Sequence, residues 1–288
     1  MATLADEDEF VRVLYWGHFG TGKTTDMAHL AKIGKVRWIR TDKGLKPGPL
    51  RRMGIPVENI VPCDELRPDM LLRTVDEWAG QLHDRPGSIA GVVLDTATDM
   101  IQRRLETLAD EAWKAYLAKC KKQHTEPDRS LRYSAADDTR EWYGTITQEM
   151  SRLVRRMTDL PWHVAISAQI RRDVDKNTGH VQYGPAANPA VGGLLVGYCD
   201  LVIETEADGQ YEDGEAEDCF VGYPKPRPGR EGKDRFGVLP RILVTPTIDR
   251  VIAYVHGDLD FRDDPVQLRY RELLKARKAR QAQEDDDL

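Results

Sequence analysis

No hydrophobic run in the sequence approaches the roughly 20 apolar residues that a membrane-spanning helix requires. Cysteine is scarce: the four cysteines, at positions 63, 120, 199 and 219, lie far apart and form no C-x-x-C pair. This spacing argues against a zinc site and predicts reduced thiols in a cytoplasmic protein. The N-terminal segment is acidic, so we expect neither a signal peptide nor a transit peptide, and no membrane partner.

Charge is unevenly distributed along the chain. The 288 residues carry a net charge of −6, and 40% of them are hydrophobic, which suits one large α/β domain or two small ones. The negative total argues weakly against a protein devoted to nucleic acid, but the local pattern matters more. Seven acids and no base lie in residues 206–218, whereas residues 224–241 hold six bases against two acids. The fold must therefore position a basic segment.

The strongest motif is Gly17–Thr24, GHFGTGKT, which fits the phosphate-binding pattern G-x-x-x-x-G-K-[ST]. An apolar strand runs into it and a helix leaves it. The glycines let backbone N–H groups surround phosphate oxygens, and the helix dipole adds to the attraction. We expect Lys23 to reach the β- and γ-phosphates of ATP, and the Thr24 hydroxyl to bind Mg²⁺. The predicted nucleotide contacts are Gly17, His18, Phe19, Gly20, Thr21, Gly22, Lys23, Thr24 and Thr25.

Predicted strands and helices alternate along the chain, which is typical of an α/β fold with a mostly parallel sheet and helices on both faces. Residues 99–138 interrupt the alternation, and we interpret them as a helical insertion that becomes basic and irregular. Residues 170–193 are predicted to form a polar loop. Residues 219–223 and 241–256 are predicted to be antiparallel strands that extend the sheet towards the C-terminus.

The domain organisation follows from composition. We divide the chain into an acidic tail (1–9), an ATPase core (10–256), and a basic helix with an acidic tip (257–288). The dipeptide Asp264-Pro265 predicts the start of that last helix, because aspartate caps a helix and proline fits its first position.

Two acids end predicted strands. Asp95 follows four apolar residues of a buried strand, where a P-loop enzyme places the acid that holds Mg²⁺ through water. The alternative is an ordinary aspartate that caps the next helix. Asp42 ends the strand after the loop helix, and parallel strand ends converge on the ligand crevice, so it is the candidate catalytic base. The alternative for Asp42 is a turn residue before Lys43-Gly44.

Three further side chains are candidates for catalytic roles. Gln169 ends a predicted strand, where a neutral amide can bind phosphate or the attacking water and report hydrolysis to the following loop. The alternative is a polar strand end that faces water. Lys233 and Arg235 lie in a glycine-flanked turn, and mobile cations there can stabilise charge in a neighbouring subunit's site. Their alternative is a solvated basic hairpin.

Together these motifs resemble the RecA-like P-loop ATPases, and most closely the short phage nucleotide-binding proteins of the Sak-type single-strand annealing family. The similarity spans residues 10–256 and is most specific in the run from Ile166 to Glu204. In that family the loop after the glutamine binds DNA. The phosphate contacts that the resemblance implies are Arg171, Arg172 and Lys176. It also implies that Lys233 and Arg235 are fingers that act across a subunit boundary. Asp42 is a departure, since RecA has a glutamate there.

The sequence therefore predicts an ATPase that assembles on single-stranded DNA as a ring or filament, in phage recombination or replication. Its expected partners are single-stranded DNA, further copies of itself, and a phage single-strand-binding or replication protein. The expected location is the cytoplasm of the host. Three alternatives stay open: a small-molecule or nucleotide kinase, a motor or loader that acts on a helicase or terminase, and a nucleotide-gated module that barely hydrolyses ATP.

Overall fold

Strands and helices alternate along most of the chain. The computed structural model describes residues 9–129, 139–176, 178–208 and 219–286. The strands are β1 (Arg12–Gly17), β2 (Val36–Arg40), β3 (Ile60–Cys63), β4 (Gly91–Asp95), β5 (His163–Val174), β6 (Val181–Pro185), β7 (Leu201–Asp208), β8 (Cys219–Tyr223), β9 (Lys233–Asp234) and β10 (Leu243–Val244). The helices are α1 (Lys23–Ala28), α2 (Pro47–Arg52), α3 (Pro68–Asp84), α4 (Ala97–Gln123), α5 (Thr139–Thr158), α6 (Pro189–Tyr198), α7 (Ile248–His256) and α8 (Pro265–Asp286).

The strands form one sheet in the order β10-β8-β7-β1-β5-β4-β2-β3, with β6 paired to β5 and β9 paired to β7. The six strands from β7 to β3 in this order run parallel. Strands β8 and β10 extend the sheet in antiparallel pairs. The predicted fold class is therefore confirmed: a mostly parallel α/β sheet with a C-terminal antiparallel extension.

Helices cover both faces of the sheet, and β1 shows why. Val13 and Tyr15 point into one hydrophobic cluster, which includes α1 and α7. Leu14 and Trp16 point into the other, which includes α3, α4, α5 and α6. Since all four side chains are fully buried, β1 is an interior strand, and its apolar sequence reflects burial on both sides.

Residues 241–256 correct one prediction. Only Leu243–Val244 pairs as a strand, whereas Ile248–His256 forms helix α7. The β-branched residues favour a strand by propensity, but Ile248, Val251 and Ile252 are buried at helical spacing against the rest of the core. Tertiary packing therefore overrides the local preference.

Residues 170–193 correct a second prediction, because they are not a loop. Strand β5 continues to Val174 and turns back as β6, so that Ile170 to Val174 pair with Val181 to Pro185 in an antiparallel hairpin. Helix α6 follows at once, capped by the Asn188 side chain, which accepts a hydrogen bond from the N–H of Val191 at 2.8 Å. The polar composition reflects solvent exposure of a hairpin rather than lack of structure.

The predicted insertion begins with one long helix. Helix α4 runs without interruption from Ala97 to Gln123, so the basic residues up to position 122 are helical and not irregular. Residues 130–138 lie outside the described residues, as do the segments 1–8, 209–218 and 287–288.

Helix α8 begins at Pro265 as predicted, and the Asp264 carboxylate accepts a hydrogen bond from the N–H of Val266 at 3.0 Å. Within the described chain, no helix is both long and apolar enough to cross a membrane.

Candidate functional site

The candidate site lies where the central parallel strand β1 ends between β5 and β7. Strand β1 ends at Gly17, which is in register with Gln169 of β5 and Thr205 of β7. The carboxyl edge of a parallel sheet is where such folds bind ligands. The phosphate-binding loop therefore emerges between two longer strands that carry polar side chains at this level.

The loop depends on two glycines with positive φ, Gly20 at 74° and Gly22 at 82°. Gly22 precedes α1, and its open side faces the Phe220 ring of β8: an added Cβ would lie 3.1 Å from the ring. The Thr21 hydroxyl lies 2.8 Å from the Thr205 hydroxyl, which fixes the loop to β7. Neighbouring strands therefore hold the loop in shape on one side.

Lys23 is buried at the base of the loop. Its ammonium group donates hydrogen bonds to the carbonyls of Gly17 at 3.0 Å and His18 at 2.5 Å. Burial lowers the pKa of Lys23 to about 8, although the nearby carboxylates of Asp95 and Asp26 act in the opposite direction. The ammonium group is thus held at the predicted phosphate position, largely shielded from water.

Asp95 lies at the end of β4, 2.9 Å from the Thr24 hydroxyl, which donates to it. The Ser167 hydroxyl of β5 donates to its other oxygen at 2.6 Å. Burial raises the pKa of Asp95, whereas these two hydrogen bonds lower it and the charge of Asp42 raises it further. The structure therefore brings the two predicted magnesium residues into direct contact.

These residues fit a magnesium–triphosphate group. Thr24 and Asp95 present hard oxygen ligands to a hydrated cation, Lys23 presents a buried positive charge, and the first N–H groups of α1 have no partners within the helix. Gly20 has open space on its Cβ side, so the loop leaves room above it.

Gln169 carries an unsatisfied acceptor. Within the described residues, its buried side-chain oxygen has no hydrogen-bond partner. Its backbone is held tightly: its N–H donates to the Thr98 hydroxyl at 3.0 Å, and its carbonyl accepts from the N–H of Ala186 at 2.6 Å. The Thr98 hydroxyl in turn donates to the Ala186 carbonyl at 2.8 Å. These bonds link the base of the hairpin to the first turn of α4, just after Asp95.

Asp42 is exposed, and two observations bear on its role. Its carboxylate accepts a hydrogen bond from the N–H of Gly44 at 2.7 Å, which matches the turn alternative. It also lies close enough to Asp95 to raise the pKa of that carboxyl. The catalytic role of Asp42 stays a prediction.

The three residues predicted to bind DNA lie on the β5–β6 hairpin. Arg171 is partly buried, donates to the Ala187 carbonyl at 2.6 Å, and pairs with Asp173 at 2.6 Å. Arg172 and Lys176 are exposed. Only the last two therefore present accessible positive charge on this hairpin.

Lys233 and Arg235 lie away from the loop of their own chain. The Lys233 ammonium donates to the carbonyls of Val196, Gly197 and Cys199 at 2.9, 3.2 and 2.6 Å, which closes the C-terminus of α6. Arg235 pairs with Asp200 at 2.6 Å.

Strand β9 explains the position of these two cations. It pairs with Leu201–Val202 at the start of β7, about 13 Å along the strand from its loop end at ~3.3 Å per residue. Within one chain the two cations do not reach the predicted phosphate position, and a role across a subunit boundary stays a prediction.

A charged cluster beside the loop was not predicted. Glu204 is in register with Trp16, one residue before the loop, and its buried carboxylate pairs with Arg227 and Arg230. Glu206 pairs with the same two arginines, and we call these four residues the Glu204 cluster. The signal in the sequence was the basic segment 224–241, but only the sheet order shows which acids it meets.

Comparison with known families gives a match that covers most of the chain. The sequence model of AAA_24, described as AAA domain, matches residues 9–236. This range contains the phosphate-binding loop, β4, the hairpin and β7. No curated protein sequence matches the chain significantly.

Proposed function

The chain belongs to the AAA_24 family of AAA domains, and from this premise we propose that it is a magnesium-dependent ATPase that binds single-stranded DNA under the control of its nucleotide. We propose that it acts in phage recombination or replication. Membership of a P-loop NTPase family supports nucleotide-dependent activity, whereas DNA binding, the phage role and the assembly are our inference.

The observation that carries the proposal is the position of Gln169. It lies beside Gly17 in the sheet, and its strand continues without a break into the hairpin that exposes Arg172 and Lys176. Its side-chain oxygen is free to accept a hydrogen bond near the phosphates. A change in the hydrogen bonding of this amide would therefore be transmitted along the strand to the hairpin.

The catalytic part uses residues already in contact. Lys23 would bind the phosphates, and Thr24 with Asp95 would hold a hydrated magnesium ion, with Ser167 keeping the Asp95 carboxylate in place. A bound magnesium–triphosphate would supply the phosphoanhydride bond that is broken. Asp42 is exposed, and its charge raises the pKa of Asp95, so it is the proposed residue that orients the attacking water.

The DNA-binding part is the hairpin. Arg172 and Lys176 would contact phosphates of a single strand, and two cations per chain give weak binding because counterion release scales with the number of phosphates contacted. Tight binding would then require several copies of the chain on one strand. Such an assembly would also give Lys233 and Arg235 access to a neighbouring site, provided that their present hydrogen bonds are exchanged.

The test is the rate of ATP hydrolysis with and without single-stranded DNA. We expect DNA to stimulate the wild-type chain, and Gln169→Ala to keep nucleotide affinity while it loses the stimulation. Gln123→Ala, at the exposed end of α4, is the matched control and should behave as wild type.

The outcomes separate the alternatives. Stimulation that survives Gln169→Ala would remove the sensor role. Turnover that ignores DNA and depends on a small acceptor would favour a kinase instead.

A further inference from the structure

A cleft of about 1210 Å³ opens beside the candidate site. Helices α4 and α5 form two of its walls, and the segment from β6 to the start of α6 forms a third. Phe19 of the phosphate-binding loop, Thr96 after β4 and Gln169 of β5 also line it. The cleft therefore borders the candidate site at these residues and extends between the helices.

The lining combines exposed aromatic rings with side-chain amides. Phe19 is 83% exposed and Tyr143 is 41% exposed, and both border the cleft. Gln102 and Gln148 are also exposed along its walls. Exposed aromatic side chains that border one groove are typical of a ligand-binding surface, and amides offer both a donor and an acceptor.

The charges of the lining disfavour an anionic ligand. Two acids, Asp42 and Asp99, border the cleft against one cation, Arg171, and Asp99 pairs with Arg103 at 2.8 Å. That cation is already bonded to the Ala187 carbonyl and to Asp173. A phosphate in the cleft would therefore meet the Asp42 carboxylate and no unpaired cation of the lining, and a purely apolar ligand would leave the amides unpaired. A flat, uncharged ring with hydrogen-bonding edges fits both restrictions.

The hairpin offers contacts for the rest of the ligand. Arg171 lines the cleft, and the exposed Arg172 and Lys176 lie on the same hairpin, so the element that forms one wall of the cleft also carries accessible positive charge outside it. A polymer with an anionic backbone and uncharged rings matches this arrangement: its phosphates lie along the hairpin while a ring enters the cleft.

We propose that this cleft binds an unpaired nucleobase of single-stranded nucleic acid, stacked on Tyr143 and Phe19, next to the nucleotide site. The inference rests on the proposed function and deepens it, because it makes recognition depend on bases as well as on backbone charge. Loss of one stacking ring weakens the binding of a single strand roughly 5- to 100-fold.

The experiment compares two fluorescent oligonucleotides of equal length, an oligothymidylate and its abasic counterpart, with the full chain, Mg²⁺ and a non-hydrolysable ATP analogue. We expect the wild type to prefer oligothymidylate, and Tyr143→Ala to bind it 5- to 100-fold more weakly with unchanged affinity for the abasic strand. Tyr143→Phe should restore the preference. Tyr116→Ala on α4, whose ring stacks on Trp113 and does not line the cleft, is the control.

Two results would overturn the base site while leaving DNA binding intact: equal affinity of the wild type for both strands, or an equal loss for both strands in Tyr143→Ala. Binding of neither strand under any nucleotide condition would instead overturn the proposed function itself. The thermal midpoint and the Mg-ATP affinity of Tyr143→Ala are measured alongside, and they should match the wild type because Tyr143 is exposed.

Discussion

Arg230 pairs with Glu204 and so joins the turn at residues 227–230 to the strand beside the phosphate-binding loop. The Glu204 carboxylate is 1% exposed and also accepts from Arg227 at 2.5 Å. The turn contacts the hairpin as well: the N–H of Tyr183 donates to a turn carbonyl at 2.7 Å, and the Arg230 guanidinium lies 4.7 Å from the Tyr183 ring. The Glu204 cluster therefore connects the hairpin to the sheet at a second point, on β7 rather than at Gln169 of β5.

Removal of one member tests this connection. We expect Arg230→Ala to lower the free energy of unfolding by about 1–3 kcal/mol, since Glu204 keeps only Arg227 as its partner. Hydrogen exchange at Tyr183 should become faster at the same time. Arg262→Ala removes an exposed pair with Asp260 and should change stability by less than about 0.5 kcal/mol in urea titrations. Equal effects of the two variants would show that the cluster is an ordinary surface pair.

Asp95→Asn tests the magnesium assignment. The variant keeps the shape of the side chain but removes the charge that would attract the hydrated cation, so the Mg²⁺-dependent part of ATP affinity should fall roughly 10- to 100-fold. Affinity measured in a chelator should be unchanged. Asp84→Asn, an exposed carboxylate at the end of α3, serves as the control. A loss of the same size with and without Mg²⁺ would mean that Asp95 only supports the fold.

Lys23 predicts a pH dependence of nucleotide binding. Burial holds its pKa at about 8 in the protein without phosphate, so the ammonium is lost as the pH rises through that value. Since only the charged form attracts phosphate, the affinity for ATP should be full below about pH 7 and decline above about pH 8. Fluorescence titration with a labelled analogue over this range measures it. In Lys23→Ala, binding should be weak and this alkaline decline absent; a decline of equal size in that variant would assign it elsewhere.

His163 predicts a pH dependence of stability. Burial, with His256 and Arg12 nearby, lowers its pKa from 6.5 to about 4, and its neutral Nδ1 accepts a hydrogen bond from the N–H of Val11 at 3.1 Å. The unfolded chain therefore takes up a proton first, and the stabilisation that is complete above pH 6.5 is lost as the pH falls towards 4. Between pH 6.5 and pH 5 the loss should be about 2 kcal/mol. His163→Gln should remove this slope in urea titrations, and an unchanged slope would exclude His163 as its source.

Arg235 tests whether active sites are shared between copies. Its partner Asp200 also pairs with Arg12 at 3.2 Å, so Arg235→Ala should cost at most about 1 kcal/mol of stability. If Arg235 acts across a boundary, Arg235→Ala and Lys23→Ala should each be inactive alone, and their mixture should recover part of the ATPase rate. A mixture no more active than its components would contradict the shared site.

The local parts of the site could be predicted from the sequence. The strand, loop and helix around Lys23 are contiguous, and Asp95 follows a run of buried residues, so both required only short-range patterns. The contact between Asp95 and Ser167 could not be predicted, because it depends on β5 lying next to β4 in the sheet. Thr98, which bonds to both Gln169 and Ala186, was missed for the same reason.

Two errors in secondary structure have a common physical cause. The hairpin around Arg172 is stabilised by backbone pairing between segments that look polar, and helix α7 by burial of β-branched residues such as Val251. In both cases the decisive interactions come from neighbours in space, so single-sequence propensity points to the wrong class. The contacts of Lys233 at the end of α6 could not be predicted for the same reason, since its carbonyl partners lie far away in the sequence.

The ring of Phe220 packed on Gly22 makes the outer strands relevant to mutational tolerance. At Gly20 a side chain would meet only the cost of its backbone angle, whereas at Gly22 it would also crowd that ring. A smaller residue at position 220 would therefore relieve crowding at Gly22 but not the angular cost. In a library that varies both positions, acceptable replacements at 22 should be found mainly in clones that also carry a reduced residue at 220, so the two sites vary as a pair.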